Sequence, residues 1–69
     1  MRLNKFVKER RKELGMTQKE MALKAGVGLR FVRELERGKA SLQMNKVNDV
    51  LSLFGFELNP TKIVSDEAS

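Results

Sequence analysis

Arg30 and Arg33 are the residues in this chain best suited to specific recognition chemistry. They stand three apart, and Val32 and Leu35 lie at the complementary spacing. A helix through them therefore shows both guanidinium groups on one side and two branched apolar side chains on the other. The Arg fork can bond guanine O6 and N7 with two parallel donors, or neutralise phosphates. Both readings are open from the residues alone. Catalytic chemistry has no comparable set. The chain contains no His, Cys, Tyr or Trp, so the common general bases of near-neutral pKa are missing. Gly26 and Gly28 form a GxG pair without the Lys-Ser/Thr of a phosphate loop. Glu9, Glu13, Glu20, Glu34 and Glu36 are scattered among bases, a pattern of helix-surface ion pairs. The reading is not an enzyme, with no cofactor and no metal.

The elements that position the two arginines are legible in the stretch Thr17 to Gly38. Thr17 is a good N-cap and Glu20, three residues on, completes a capping box. Met21, Ala22 and Ala25 share a helical face, and Gly26 stops that helix. A second helix starts after Gly28 and ends at Gly38. Ala22, Gly26, Val32 and Leu35 occupy the four positions that a helix-turn-helix requires: a small residue for the crossing, a sharp turn and two pins. An ordinary helical hairpin is the plain alternative.

A first helix is predicted over Leu3 to Leu14, with Leu3, Phe6, Val7, Arg10 and Leu14 on one face and Gly15 as its stop. Lys5, Lys8, Arg11 and Lys12 form its other face. Such a basic amphipathic helix can lie on a membrane, but its apolar face is needed to cover the next two helices. A last helix is predicted from Gln43 to Leu53 or Phe54, with Met44, Val47, Val50, Leu51 and Phe54 inward, Leu53 outside the stripe and Gly55 at C′. Phe56-Glu57-Leu58 alternates like a short strand before Asn59-Pro60. Alone it is not stable, so it either packs as irregular chain or pairs with a second subunit.

Sixty-nine residues allow one small core, and without Cys no disulfide or thiolate zinc staples it. The net charge of +5 is unevenly placed. Residues 2–39 hold twelve Lys/Arg against five Asp/Glu, a balance of +7, and residues 40–69 hold two against four, a balance of −2. The first part is suited to a polyanion and the second to another task. No apolar run approaches a membrane span or a signal peptide, so the expected place is the cytoplasm, at the nucleoid.

The segment ERRKELGMTQKEMALKAGVGLRFVRELERGK resembles the xenobiotic-response-element family of helix-turn-helix regulators, which share the phage-repressor fold. The likeness covers residues 3–55. ERGKASLQMNKVNDVLSLFGFEL resembles, more narrowly, the HipB-type antitoxins. The resemblance implies an all-α four-helix domain over residues 1–55 and a dimerisation strand over 56–60; residues 61–69, polar and acidic with only Ile63 and Val64 apolar, are expected to form a mobile tail. It implies a homodimeric repressor of its own operon on a palindromic operator, bound also by a HipA-type kinase toxin. A repressor without a toxin, and a protein-interaction module that does not read DNA, are the alternatives.

Carried over by position, Gln18 is expected to hold a phosphate through its amide. Leu29, Arg30 and Arg33 are expected to project toward base edges, and Lys39 and Ser41 to rest on the backbone. Thr17, Lys19, Gly28 and Arg37 complete the expected DNA-facing set. Gly28 departs from the family's usual Ser or Thr. Phe31 replaces a small Thr and serves either as extra core or as a thymine-methyl contact. Arg11 and Glu36 are expected to form a partly buried ion pair, and Leu53, Phe56 and Leu58 to meet across the dimer.

Overall fold

The computed structural model describes residues 2–62 and, within them, the side chains from Leu3 onward. Four helices follow one another: α1 (Arg2–Glu13), α2 (Gln18–Ala25), α3 (Leu29–Arg37) and α4 (Met44–Ser52). Helices of this length are marginal alone in water, so their ends and their packing decide whether they form. Thr17 Oγ1 accepts the Glu20 N–H at 3.0 Å, and Glu20 Oε1 accepts the Thr17 N–H at 2.8 Å. This reciprocal pair satisfies two otherwise orphaned donors at the start of α2. At its end Gly26 turns left-handed, with φ 73°. Val27 N–H then reaches Ala22 O and Gly26 N–H reaches Leu23 O. This pair of hydrogen bonds closes the helix with a residue for which the conformation carries no Cβ penalty. Gly15, Gly38 and Gly55 close the other three runs with the same pair of backbone bonds. At Gly38 there is a second reason for glycine, because a Cβ would meet Asn4 Nδ2 at 3.2 Å.

The core is Val7 from α1, Met21 and Ala22 from α2, Val32 and Leu35 from α3, and Val47, Val50 and Leu51 from α4. α3 packs against both α1 and α2, and α4 lies on α2. The small Ala22, buried beneath the crossing, lets α3 approach.

A buried polar contact sits beside this apolar core. Arg11 Nε donates to Glu36 Oε2 at 2.6 Å and Arg11 Nη2 donates to Glu36 Oε1 at 3.0 Å. Nη1 of the same guanidinium donates to Met16 O at 2.9 Å, and Gln18 Nε2 donates to Glu36 Oε1 at 3.1 Å. Asn4 Nδ2 reaches the Glu36 carbonyl at 3.3 Å. The side chains of Arg11 and Glu36 keep 11% and 4% of their exposure. Arg11 thus leaves the outer basic face on which the helical pattern placed it and turns toward α3.

Several sequence expectations shift. α1 begins and ends one residue earlier than predicted, and Leu14, beyond its last turn, is exposed. Met44, assigned to the inward stripe of α4, is 72% exposed. It is the first residue of that helix and overhangs the core, in a groove with Asn48 and Leu58. α4 ends at Ser52, and Leu53 and Phe54 follow in tight turns, donating to Val50 O and Leu51 O. Both are half-buried against the core, so Leu53 is less exposed than its place outside the stripe suggested.

Among the described residues there is no strand. Residues 56–58 lie along their own chain instead. The Phe56 ring meets Phe6 edge-on at 4.9 Å between centroids, Arg10 sits over both rings at 5.2 and 5.9 Å, and Leu58 N–H donates to Asn48 Oδ1 at 2.7 Å. A single extended segment has no ladder partner within one chain, so packing of alternate side chains is what remains to it. Of the acidic tail, residues 63–69 lie outside the described residues.

Glu36→Ala leaves Arg11 buried without its carboxylate and is expected to destabilise the domain by ~3–5 kcal/mol. Replacing both partners with apolar residues, Arg11→Met with Glu36→Leu, is expected to cost less than the sum of the single changes. Urea unfolding of Glu36→Ala, Arg11→Met, Glu36→Leu and the double variant measures this, and additive losses in the double variant would contradict it. The capping box makes a separate claim. The Thr17 N–H, and then the Thr17 hydroxyl, hold the Glu20 carboxyl below its ordinary range. A depressed folded-state pKa means that the contribution is complete above the unfolded pKa and disappears as pH falls through the folded one. Glu20→Gln is therefore expected to lose less thermal stability than the parent between neutral and acid pH. Matching pH profiles would refute the assignment.

Candidate nucleic-acid interface

α3 is oriented by what it buries. Val32 and Leu35 are fully enclosed and Glu36 is held in the polar contact. At 3.6 residues per turn this leaves Arg30, Arg33 and Arg37 outward, and all three are exposed. Arg30 keeps 91% of its side-chain exposure while its Nε stands 3.6 Å from Glu34 Oε2. Lys39 Nζ approaches the same oxygen at 3.5 Å. Neither Arg33 nor Arg37 has a carboxylate within ion-pair distance among the described residues.

The start of α3 is a bare helix N-terminus. Gly28 occupies the N-cap with extended backbone and provides no side-chain cap. Its surroundings are open: a Cβ added there would meet nothing within 4 Å. The first amide groups of α3 are thus free of a side-chain cap, and the helix dipole adds positive potential at that end.

The other expected site residues fall on two sides of α3. A cleft between α3 and α4 is lined by Arg30, Phe31, Glu34, Lys39, Ser41 and Lys46, with Gly28 at its rim. A second cleft between α1 and α3 is lined by Lys8, Gln18, Arg33, Glu36 and Arg37. Thr17 and Lys19 are exposed at the start of α2. The Thr17 hydroxyl is already engaged in the capping box. One N–H of the Gln18 amide is engaged by Glu36 rather than left pointing outward. Leu29, expected as an exposed apolar side chain, is half-buried against the core, because the first turn of α3 already lies over it. Phe31 is also half-buried on the core and at the same time lines the α3–α4 cleft. Its ring serves packing, and one edge stays accessible from the cleft.

Sequence reasoning left Lys8, Glu34 and Lys46 out of the site. Lys8 is three residues before Arg11, so once Arg11 is aimed at α3 its neighbour must lie at the same flank. Lys46 gives no such local signal. It reaches the cleft because the 38–43 loop returns the chain beside α3, placing Nζ 6.0 Å from the Phe31 ring centroid.

Among the described residues no helix is long and apolar enough to cross a membrane. No solved structure matches the chain. An uncharacterized HTH-type transcriptional regulator, y4mF, of Sinorhizobium fredii is 47% identical over 49 residues, covering 71% of this chain and 64% of that protein. The chain thus spans a little under two thirds of that relative's length. Residues 7–59 match the helix-turn-helix family, a span that holds the end of α1, the α2–turn–α3 unit and α4. With that span taking in most of its length, the chain belongs to the helix-turn-helix family.

Proposed function

We propose that this protein is a sequence-specific DNA-binding transcriptional repressor that inserts the N-terminal half of α3 into the major groove. The observation that carries the reading is the orientation of α3: Val32, Leu35 and Glu36 are turned inward, and Arg30, Arg33 and Arg37 are turned out. A helix with its side chains is about as wide as the major groove. Arg30 lies in the first turn, where helix-turn-helix proteins contact base edges, and Arg33 follows on the same exposed side. Gly28 stands at this end, Lys39 and Ser41 line the cleft beside Arg30, and Thr17, Gln18 and Lys19 stand at the start of α2, where Gln18 meets Glu36. In this reading all six keep the protein in register on phosphates. The excess of cations over residues 2–39 adds the sequence-independent part of the affinity. The name of the Sinorhizobium relative, a transcriptional regulator, agrees with this reading.

The active form in this reading is a homodimer on a palindromic operator, because two copies related by a twofold axis match two half-sites. Leu53, Phe56 and Leu58 belong to the contact, with residues 56–60 pairing antiparallel across it. Phe56 and Leu58 are exposed apolar side chains, which supports the assignment. The role as antitoxin to a HipA-type kinase toxin rests on the resemblance of residues 36–58 alone. Stable co-purification with the product of the neighbouring gene tests it, and a neighbour unrelated to kinases would favour a repressor without a toxin.

Arg30→Ala and Arg33→Ala are each expected to cost ~1–3 kcal/mol on a duplex selected from a randomised library, and to relax preference at one base pair. Lys39→Ala is expected to weaken selected and scrambled duplexes alike and to make the salt slope shallower by about one unit. Equal losses on both duplexes for the two Arg variants would show that sequence is read elsewhere. Deleting residues 56–69 is expected to give a monomer in sedimentation at micromolar concentration, and an unchanged dimer would remove residues 56–60 from the interface.

A further inference from the structure

The two clefts beside α3 share no lining residue, and each contains a lysine from another helix. Arg30, Phe31 and Glu34 of α3 line one cleft together with Lys46 of α4. Arg33, Glu36 and Arg37 line the other together with Lys8 of α1. At 3.6 residues per turn these two sets of α3 residues lie on opposite flanks of the helix, and they adjoin along the exposed line of Arg30, Arg33 and Arg37. The carboxylate in each cleft is already committed. Glu36 is bonded by Arg11 and Gln18, and Glu34 lies near both Arg30 and Lys39. Neither Lys8 nor Lys46 has a carboxylate within ion-pair distance among the described residues.

We infer that Lys8 and Lys46 are phosphate contacts on opposite DNA strands, so that α3 is held between two backbone grips supplied by α1 and α4. The inference rests on the DNA-binding reading and adds two residues and a geometry to it. A helix filling the major groove has one sugar-phosphate backbone along each flank. A cation projecting beside each flank therefore meets a different strand. Lys46 places its Nζ over the Phe31 ring, 6.0 Å from the centroid, in the cleft that Arg30 also lines. Lys8 stands on α1, whose placement against α3 is fixed by the Arg11–Glu36 contact. Gripping both strands sets the depth and tilt of α3, and only a fixed depth lets Arg30 and Arg33 distinguish one base from another.

The test uses the full chain with Lys8→Gln, Lys46→Gln, the double variant and Lys24→Gln as control. Gln keeps most of the aliphatic stem while removing the charge, and equal thermal midpoints exclude folding effects. Lys24 is exposed on α2 and lines neither cleft. On a short random-sequence duplex, each cleft variant is expected to make the log–log salt slope shallower by about one unit and the double variant by about two. The control is expected to keep the parental slope. On a duplex selected from a randomised library, phosphate-ethylation interference is expected to fade on one strand for Lys8→Gln and on the opposite strand for Lys46→Gln. If the parent binds no duplex, the DNA-binding reading falls and this inference with it. If the parent binds and both cleft variants behave as the control does, only this inference falls. Loss of interference on one and the same strand would overturn the two-flank geometry.

Discussion

A buried carboxylate has to be answered by donors, and in this domain that requirement fixes the orientation of α3. Glu36 is nearly enclosed, and leaving its charge without partners there would be costly. Its donors come from elsewhere in the chain: the Arg11 fork from α1 and the Gln18 amide from the start of α2. The third guanidinium nitrogen ties Met16 of the intervening loop into the same network. Apolar contacts alone are tolerant of sliding and rotation, whereas a two-point fork on a carboxylate is not. Rotating α3 about its axis by one residue, roughly 100° at 3.6 residues per turn, would break both bonds and turn Arg33 toward the core. The outward direction of the arginines thus follows from a contact on the far side of the same helix.

The rest of the fold is economical around that contact. All four helices are short, and glycine-closed ends let the chain reverse in a few residues. Among the described residues the buried apolar core is only eight side chains, so the domain has little stability in surplus. The edge-to-face contact of Phe56 on Phe6, with Arg10 above both rings, adds apolar cover at one end of α1. Met44, Phe56 and Leu58 still show apolar surface on the side formed by α4 and the segment after it. The basic clefts and the exposed arginines lie along α3. In the proposed reading, DNA contact and dimer contact therefore fall on different surfaces of one small domain.

What could be read from the sequence was what local chemistry decides. Thr17 with Glu20, and Gly15, Gly26, Gly38 and Gly55, marked helix ends because capping needs only neighbours in the chain. Val32 and Leu35 fixed the inward face of α3 because two apolar residues three apart leave a short helix few alternatives. Periodicity failed at the margins. Met44 fits the apolar stripe of α4, but the stripe does not say where the neighbouring helices end, and the core stops short of it. Alternation over 56–58 suits a strand and equally an extended segment leaning on its own domain; the choice between them depends on a partner. Lys8 was legible only as part of the basic face of the first helix and Lys46 gave no signal at all; packing brings both beside α3 from two separate helices. Gln18 was legible as a polar residue at a helix start, while its bond to Glu36 required knowing which face of α3 it met.

If α3 reads bases as proposed, its charge placement separates affinity from discrimination. The helix carries two acids among its three arginines. Glu36 is directed inward, where it fixes orientation and no longer repels phosphate. Glu34 remains at the flank, close to Arg30 and Lys39. An exposed pair at such distances is weak, so Arg30 can leave Glu34 for a base edge at little cost. On a site with a suitable base, the lost pairing is replaced by two charge-assisted bonds. On a site without one, Arg30 keeps Glu34 as its nearest partner, and Glu34 stays close to the approaching phosphates. In that reading the Glu34 carboxylate on α3 subtracts from binding to every sequence, and the matched sequence recovers the loss.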